Sequence, residues 1–178
     1  MNKGRVVNIC KFNSPCGVLL LGDFEGHLCM CDWFAEKRQE IILNRIIKGL
    51  NARNEDAVTP FLEQAMSQLQ RYFLLQQNSF DLPLLMVGTN FQRQVWRQLQ
   101  FVGYGTTVSY SELANRIGNP RAVRAVASAC RANAMSIIVP CHRVVAKNGD
   151  MAGYAGGVDA KRYLLNLEIR GAMTTTKD

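Results

Sequence analysis

The chain has 178 residues, of which 48% are apolar, and it carries a formal net charge of +7. This length allows a full hydrophobic core in one domain or in two small ones, and the composition excludes extensive disorder. No apolar run is long enough to span a membrane and no signal-peptide core follows the N-terminus, so we expect no membrane association, six reduced cysteines, and a cytoplasmic protein or, in a eukaryote, a nuclear one.

The first 87 residues predict a small α/β domain. Turn-forming residues at 14–17 and 22–26 enclose an apolar strand, and a second strand returns over 27–34, which predicts a small antiparallel sheet. Apolar residues at helical spacing predict a helix over Glu36 to Leu50. Thr59 followed by Pro60 predicts the capped start of a second helix, which runs through Leu75. We interpret residues 51–58 as the loop between these helices.

Three possible metal ligands share one face of the returning strand. They are His27, Cys29 and Cys31. A structural zinc needs four ligands, and a fourth is not apparent here. Core packing explains buried cysteines better, so we predict no metal site.

The positive charge is concentrated in the second half of the chain. Residues 1–89 and 149–178 are each balanced, whereas residues 90–148 contain eight Lys or Arg and one acidic residue, Glu112. A basic block of this kind indicates a polyanionic partner, most commonly nucleic acid. The alternative is a basic surface that only aids solubility. We place a domain boundary between residues 87 and 88, with a mostly helical domain over 88–178 that begins with a helix capped by Thr89 or Asn90.

Residues 109–132 predict a helix-turn-helix. Ser109 caps a helix over 110–117 with Glu112 in the capping-box position, and a second helix is predicted from Pro120 to Ala132. The second helix consists of small residues and arginines, which suits the minor groove and the DNA backbone better than the reading of base edges. Close packing of the small residues against a neighbouring helix is the alternative. The residues expected to contact DNA are Arg121, Arg124, Ala125, Ser128, Ala129 and Arg131.

The most informative stretch is the apolar run 137–145, which is interrupted by Pro140, Cys141, His142 and Arg143. The β-branched residues predict a buried strand that stops near Pro140, because proline cannot donate to a strand ladder. Cys141 then lies at a strand end. A buried thiol is usually inert, but His142 and Arg143 could favour the thiolate, which is the nucleophilic form. From these residues alone, Cys141 is either a core residue or a nucleophile.

Several segments together resemble the O6-alkylguanine-DNA alkyltransferases, also called methylated-DNA–protein-cysteine methyltransferases. The resemblance covers residues 107–126, Asn133, the Pro-Cys-His-Arg motif at 140–143 with the two valines after it, and residues 153–157 with Lys161 and Glu168. Residues 88–96 extend it backward, and residues 14–17 match the start of that family loosely. The resemblance implies a ribonuclease H-like N-terminal domain and an alkyltransferase domain with a DNA-binding helix-turn-helix.

The activity implied by the resemblance is direct repair of double-stranded DNA. The protein would bind as a monomer in the minor groove, flip out an O6-alkylated guanine and move the alkyl group to Cys141, once and without a cofactor. His142 would act as a base through a water, with Glu168 as its orienting carboxylate and Asn133 as a brace.

Two further roles and a pocket follow from the same resemblance. Tyr110 would donate a proton or hydrogen bond to the leaving guanine, and Arg124 would fill the space left by the flipped base. A core tyrosine and a phosphate-binding arginine are the alternatives. Ala155 lies where many relatives have a serine, so backbone amides would have to bind the base there. The expected pocket residues are Val144, Val145, Tyr154, Ala155, Gly156 and Gly157.

Two other functions explain part of the pattern. A lesion sensor of the related alkyltransferase-like class would bind DNA without chemistry, but in that class the cysteine is replaced, and Cys141 is present here. A cysteine hydrolase acting on a polyanion would leave the predicted helix-turn-helix unexplained.

Overall fold

The structure, a computed structural model, describes residues 4–151 and 153–175. It divides the chain into two compact units, Met1–Gly88 and Thr89–Asp178, with the division one residue after the predicted position. Within the described residues, no helix is both long enough and apolar enough to cross a membrane.

The first unit contains a four-stranded sheet in the order β3-β2-β1-β4. Strands β1 (Val6–Ser14), β2 (Gly17–Phe24) and β3 (His27–Trp33) are antiparallel, as predicted for β2 and β3. The edge strand β4 (Arg53–Asp56) pairs in parallel with β1, so the prediction of a loop over 51–58 is wrong. All four side chains of β4 are exposed, and no alternation of apolar and polar residues marks it as a strand.

Two helices complete the first unit. Helix α1 (Glu36–Leu50) has the predicted bounds, and helix α2 (Pro60–Phe73) begins as predicted, with the Thr59 hydroxyl accepting a hydrogen bond from the Leu62 amide at 3.1 Å. Helix α2 ends before Leu75, whose φ of 60° lies in the left-handed region and cannot continue a right-handed helix. Each fully buried aliphatic side chain of the core contributes roughly 1.5–3 kcal/mol. Among them are Leu19, Leu21, Leu28, Ile46, Leu62 and Leu69.

The cysteines of β3 belong to this core. Cys29 and Cys31 are 1% and 0% exposed, whereas His27 is exposed at the start of the strand. The Cys29 thiol donates to the Gly22 carbonyl. All six cysteines are free thiols, and the described residues contain no cluster of three or more possible metal ligands.

The second unit is mostly helical. Its elements are α3 (Asn90–Leu99), β5 (Val108–Ser109), α4 (Tyr110–Arg116), α5 (Val123–Arg131), a 3-10 turn (Cys141–Arg143), β6 (Val144–Val145) and α6 (Gly157–Thr175). Strands β5 and β6 pair in parallel, with Val108 opposite Val144. This pairing places the start of α4 next to the segment that follows Cys141.

Helices α4 and α5 are joined by six residues. The predicted capping box is present at α4: the Glu112 amide donates to the Ser109 hydroxyl, and the Ser109 amide donates to the Glu112 carboxylate. The predicted start of the second helix at Pro120 is wrong by three residues. Pro120 occupies the second position of a turn closed by a hydrogen bond from the Ala122 amide to the Asn119 carbonyl, which is the turn position that proline favours.

The predicted strand before Cys141 is also wrong. Residues 136–139 form a buried turn instead, with the Val139 amide donating to the Met135 carbonyl at 2.8 Å. Ile137 has a φ of 72°, which is rare for a β-branched residue and incompatible with a strand. Cys141 therefore begins a 3-10 turn, in which consecutive side chains point about 120° apart.

Candidate active site

Asn133 holds the Cys141 thiol against the buried turn. Its side-chain amide donates to the Val139 carbonyl at 2.9 Å and to Cys141 Sγ at 3.2 Å, and its Oδ1 accepts from the Met135 amide. Asn133 is 2% exposed and Cys141 5% exposed. Asn133 therefore contacts both the buried turn and the thiol, and its role as a brace remains a prediction.

His142 lies against Glu168 of α6. His142 Nε2 is 2.8 Å from Glu168 Oε1, and both side chains are fully buried. Burial lowers the pKa of His142, which the hydrogen bond to Glu168 only partly opposes, so the imidazole is neutral at neutral pH. With Nε2 as the donor to the carboxylate, Nδ1 keeps its lone pair, and no described residue is a hydrogen-bond partner of Nδ1.

Arg143 and a backbone amide complete the surroundings of Glu168. Arg143 Nε lies 2.9 Å from Glu168 Oε2 and Nη2 lies 2.9 Å from Oε1, while the Gly105 amide donates to Oε2 at 3.1 Å. Burial alone would raise the pKa of Glu168, but the hydrogen bonds and charges of His142 and Arg143 outweigh it and hold that pKa well below its usual range. Glu168 is therefore a carboxylate that accepts from three groups.

The role of Arg143 was not predicted. The sequence predicts that Arg143 favours the thiolate, whereas in the structure Arg143 binds Glu168 and, through Nη1, the Val102 carbonyl at 2.6 Å. A signal was available, because a buried carboxylate beside a neutral histidine needs a cation and Arg143 directly follows that histidine.

Tyr110 lies at the first position of α4, close to the thiols. Burial, followed by the charges of Cys130 and Cys141, raises the pKa of Tyr110 to about 12. The phenol is therefore protonated at neutral pH and can donate a hydrogen bond. This protonation state suits the donor role that the resemblance implies.

The exposed face of α5 carries most of the predicted DNA contacts. Arg124, Ala125, Ser128 and Arg131 are exposed, and Arg121 is exposed in the turn before the helix. Ala129 is only 2% exposed, because it lies on the side of α5 that packs against α3. On that side its carbonyl accepts a hydrogen bond from Trp96 Nε1 at 2.8 Å. The prediction that Ala129 contacts DNA is therefore wrong for its side chain.

The predicted pocket residues occupy different environments. Val144 is fully buried, so its side chain cannot line an open pocket. Val145 is half-buried and lies beside a cavity of about 530 Å³ that Ser109 and Lys147 also line. The ring of Tyr154 is edge-on to the His142 ring, with centroids 6.4 Å apart. Ala155 and Gly156 are half-buried, and Gly157 begins α6 with a φ of 84°.

Comparison with known proteins gives the class of the second unit. Residues 90–170 match the family model described as "6-O-methylguanine DNA methyltransferase, DNA binding domain". The methylated-DNA–protein-cysteine methyltransferase of Methanosarcina acetivorans is 42% identical over 158 residues, which cover 88% of this chain and 95% of that protein. The constitutive enzyme of that name from Bacillus subtilis is 46% identical over 115 residues, which cover 64% of this chain and 70% of that protein.

Solved structures extend the similarity to both units. The O6-methylguanine methyltransferase of Mycobacterium tuberculosis matches with a TM-score of 0.77 and 34% identity, over 96% of this chain and 99% of that one. The structure of the same organism's OGT in complex with DNA matches with a TM-score of 0.77 and 34% identity, over 93% and 94%. The fold and the family model therefore define a DNA-binding alkyltransferase. The chain belongs to the methylated-DNA–protein-cysteine methyltransferase family.

Proposed function

We propose that this chain repairs O6-alkylguanine in double-stranded DNA by moving the alkyl group to Cys141. One observation carries the assignment of residues. The neutral His142 is held by the Glu168 carboxylate through Nε2, and its Nδ1 has a lone pair with no partner among the described residues. The preceding residue in the sequence is Cys141, whose thiol accepts a hydrogen bond from Asn133. A base of this kind removes a proton from a neighbouring thiol.

The reaction is a single displacement. The proton of Cys141 passes to His142 Nδ1 through a water, and the thiolate attacks the alkyl carbon. The carbon–sulfur bond forms as the bond from carbon to O6 breaks, and the electron pair stays on the guanine. The phenol of Tyr110 donates a hydrogen bond to the departing guanine, whose negative charge is balanced by the proton that His142 has taken up. Because a thioether is a poor leaving group, the protein acts once and needs no cofactor.

The exposed face of α5 brings the lesion to the thiol. Small residues permit close approach to the minor groove, so Ala125 and Ser128 face the groove while Arg121 and Arg131 hold the phosphates. Base flipping costs a few kcal/mol. The exposed Arg124 offsets this cost by filling the space that the flipped guanine leaves. The protein binds the duplex as a monomer.

The flipped guanine lies near Tyr154. The half-buried Ala155 and Gly156 offer backbone groups to its edge, and Val145 borders the same region. The reaction takes place where the DNA lies, in the cytoplasm or in a eukaryotic nucleus.

Mass spectrometry tests the proposal. The protein is incubated with an equimolar duplex that contains one O6-methylguanine, then digested. A single methyl group on the Cys141 peptide, at a stoichiometry of one, is the expected result. An unmodified Cys141 with the lesion intact would contradict the proposal. The Cys141→Ser variant should bind the duplex but leave it methylated, whereas the matched Cys16→Ser variant in the first unit should transfer normally.

A further inference from the structure

The turn over residues 102–105, which follows α3, contacts the buried ion pair of Arg143 and Glu168 at three points. The Val102 carbonyl accepts a hydrogen bond from Arg143 Nη1 at 2.6 Å, and the Gly105 amide donates to Glu168 Oε2 at 3.1 Å. Between these two contacts, the ring of Tyr104 faces the guanidinium, with Arg143 Cζ 5.7 Å from the ring centroid. Of the three contacts, the one made by Tyr104 depends on the side chain of the turn.

Two glycines allow this turn to lie directly on α6. Gly105 has a φ of 70°, and a Cβ there would lie 2.9 Å from the Cβ of Ala172. Gly171 lies inside α6, one turn after Glu168, and a Cβ there would overlap the hydroxyl of Tyr104. Glycine is less favourable than alanine inside a helix, so Gly171 costs helix stability but makes room for the phenol. The hydroxyl end of Tyr104 therefore packs against the backbone of α6, close to Glu168.

The ring of Tyr104 is uncharged where it meets the guanidinium. Burial raises the pKa of Tyr104, the charge of Glu168 raises it further, and the charge of Arg143 opposes the shift only in part. The phenol is therefore protonated at neutral pH. The face of a neutral aromatic ring attracts a guanidinium that lies within about 6 Å of the ring centroid, and more strongly where water is excluded. Arg143 is only 7% exposed, so the ring attracts the guanidinium as well as covering it.

We propose that Tyr104 is a positioning residue of the transfer reaction, whose ring keeps the Arg143 guanidinium in the orientation that pairs with both oxygens of Glu168. With the carboxylate fixed in this way, Oε1 stays 2.8 Å from His142 Nε2, and the lone pair of Nδ1 is kept for the proton of Cys141. Without the ring, the guanidinium can tilt away from the carboxylate. The imidazole can then adopt its other tautomer, in which Nδ1 carries a proton and cannot accept one. This role rests on the proposed function, because the transfer is the reaction that Tyr104 would support.

The first measurement follows the imidazole itself, without DNA. The full chain is labelled with ¹⁵N-histidine, and the tautomer of His142 is read from the ¹⁵N chemical shifts of its ring, with the exposed His27 as the reference in the same molecule. In the wild type the proton should reside on Nε2. In Tyr104→Leu, which removes the ring, the signals should move towards a mixture of the two tautomers. Phe101→Leu removes an exposed aromatic ring just before the same turn and should leave the signals unchanged.

The second measurement is the rate of a single turnover. Transfer from free O6-benzylguanine, which needs no contact with DNA, should be about tenfold slower in Tyr104→Leu, an effect typical of removing a group that orients the partner of a functional side chain. Transfer from duplex should fall by the same factor. Tyr104→Phe keeps the ring and should react within about twofold of the wild type. A folded Tyr104→Leu with the wild-type rate and tautomer would overturn the proposal. An equal loss in Tyr104→Phe would also overturn it, because the hydroxyl would then act in place of the ring.

A substitution in α6 tests the same contact from the other side. Gly171→Ala places a methyl group where the Tyr104 hydroxyl lies and should displace the ring from the guanidinium, so transfer should slow as it does in Tyr104→Leu. Alanine favours a helix more than glycine does, so helix propensity alone predicts no loss. The double variant Tyr104→Phe/Gly171→Ala lacks the hydroxyl, which removes the closest overlap, and should recover most of the rate. A double variant no faster than Gly171→Ala alone would contradict the proposal.

The repair function and the role of Tyr104 fail in different ways. If the wild type leaves O6-methylguanine and O6-benzylguanine untouched while the His142 signals still respond to Tyr104→Leu, the repair function is wrong and the hold of Tyr104 on the ion pair stands. If methyl transfer occurs and neither the rate nor the His142 signals respond, repair stands and Tyr104 only packs against α6.

Discussion

Arg143 and Glu168 form a buried two-pronged ion pair, with Nε 2.9 Å from Oε2 and Nη2 2.9 Å from Oε1. Both oxygens of the carboxylate are engaged on the arginine side, so the carboxylate cannot rotate freely. His142 meets a fixed acceptor, and the orientation of its ring is fixed in turn. Arg143 therefore helps to set the orientation of the candidate base His142, because it fixes the carboxylate that His142 contacts.

Replacing Glu168 by Gln should slow transfer and weaken the fold. The amide cannot fix the imidazole tautomer, so we expect the single-turnover rate on an O6-methylguanine duplex to fall by on the order of 10²–10⁴. Loss of the charge leaves Arg143 buried without its partner, which should cost about 3–5 kcal/mol of unfolding free energy in urea. Glu63→Gln, on the exposed side of α2, is the matched control. A wild-type rate in folded Glu168→Gln would show that the carboxylate does not position the base.

The stability of the protein should fall as the pH drops below about 6.5. The pKa of His142 is lowered in the folded state, so over this range the unfolded chain binds a proton that the folded protein does not. Unfolding is therefore favoured by acid. Urea unfolding at about pH 7.5 and about pH 5.5 measures the difference. His142→Gln should lose this dependence, whereas His27→Gln, which removes the exposed histidine of β3, should retain it.

Arg124→Ala should impair repair of duplex DNA more than reaction with the free base. Without a side chain to fill the gap, base flipping is less favourable, and we expect transfer from duplex to slow by about tenfold or more. Reaction with free O6-benzylguanine needs no flipping and should be unchanged. Arg71→Ala, at the exposed end of α2, removes the same charge from the first unit as a control. An equal loss on duplex and on free base would argue against a role in flipping.

Neighbouring alanines of α5 should respond differently to the same substitution. Ala125 is exposed, so Ala125→Asp should weaken DNA binding through repulsion by phosphates while leaving the melting temperature near that of the wild type. Ala129 lies on the buried side of α5, so Ala129→Asp should unfold the second unit or lower its melting temperature sharply. Circular dichroism and a binding titration distinguish the two. The reverse pattern would mean that the DNA-facing side of α5 is misassigned.

Ser109→Ala should lower the unfolding free energy by about 1 kcal/mol, because it removes the N-cap of α4. The same helix carries Tyr110 at its first position, so transfer should also slow modestly. Ser67→Ala, at an exposed position inside α2, lacks a capping role and should show no loss in urea unfolding. Equal stability of the two variants would contradict the importance of the cap.

Local patterns in the sequence were sufficient to predict several features of the structure. The bounds of α1, the cap of α2 and the capping box at Ser109 follow from side chains that act within one turn of helix. The pairing of His142 with Glu168 was reached only through the family resemblance. No spacing within the chain connects residues so far apart.

The features that the sequence did not reveal depend on contacts between distant residues. Strand β4 exists because β1 offers it an edge, and its own exposed side chains carry no pattern. Ile137 adopts a left-handed conformation inside a buried turn, and Asn133 stabilises that turn by accepting from the Met135 amide and donating to the Val139 carbonyl. The ion pair between Arg143 and Glu168 could be inferred only through the family resemblance, which places Glu168 beside His142.

The position of Glu168 in α6 has a consequence for synthesis of the protein. Cys141 and His142 leave the ribosome well before Glu168, which must dock before the imidazole has its acceptor. On the proposed function, Cys141 of a nascent chain is therefore not yet activated, and the site becomes active only after α6 has been synthesised and folded. Because the protein can react only once, this order of synthesis protects Cys141 from alkylation before the chain has folded.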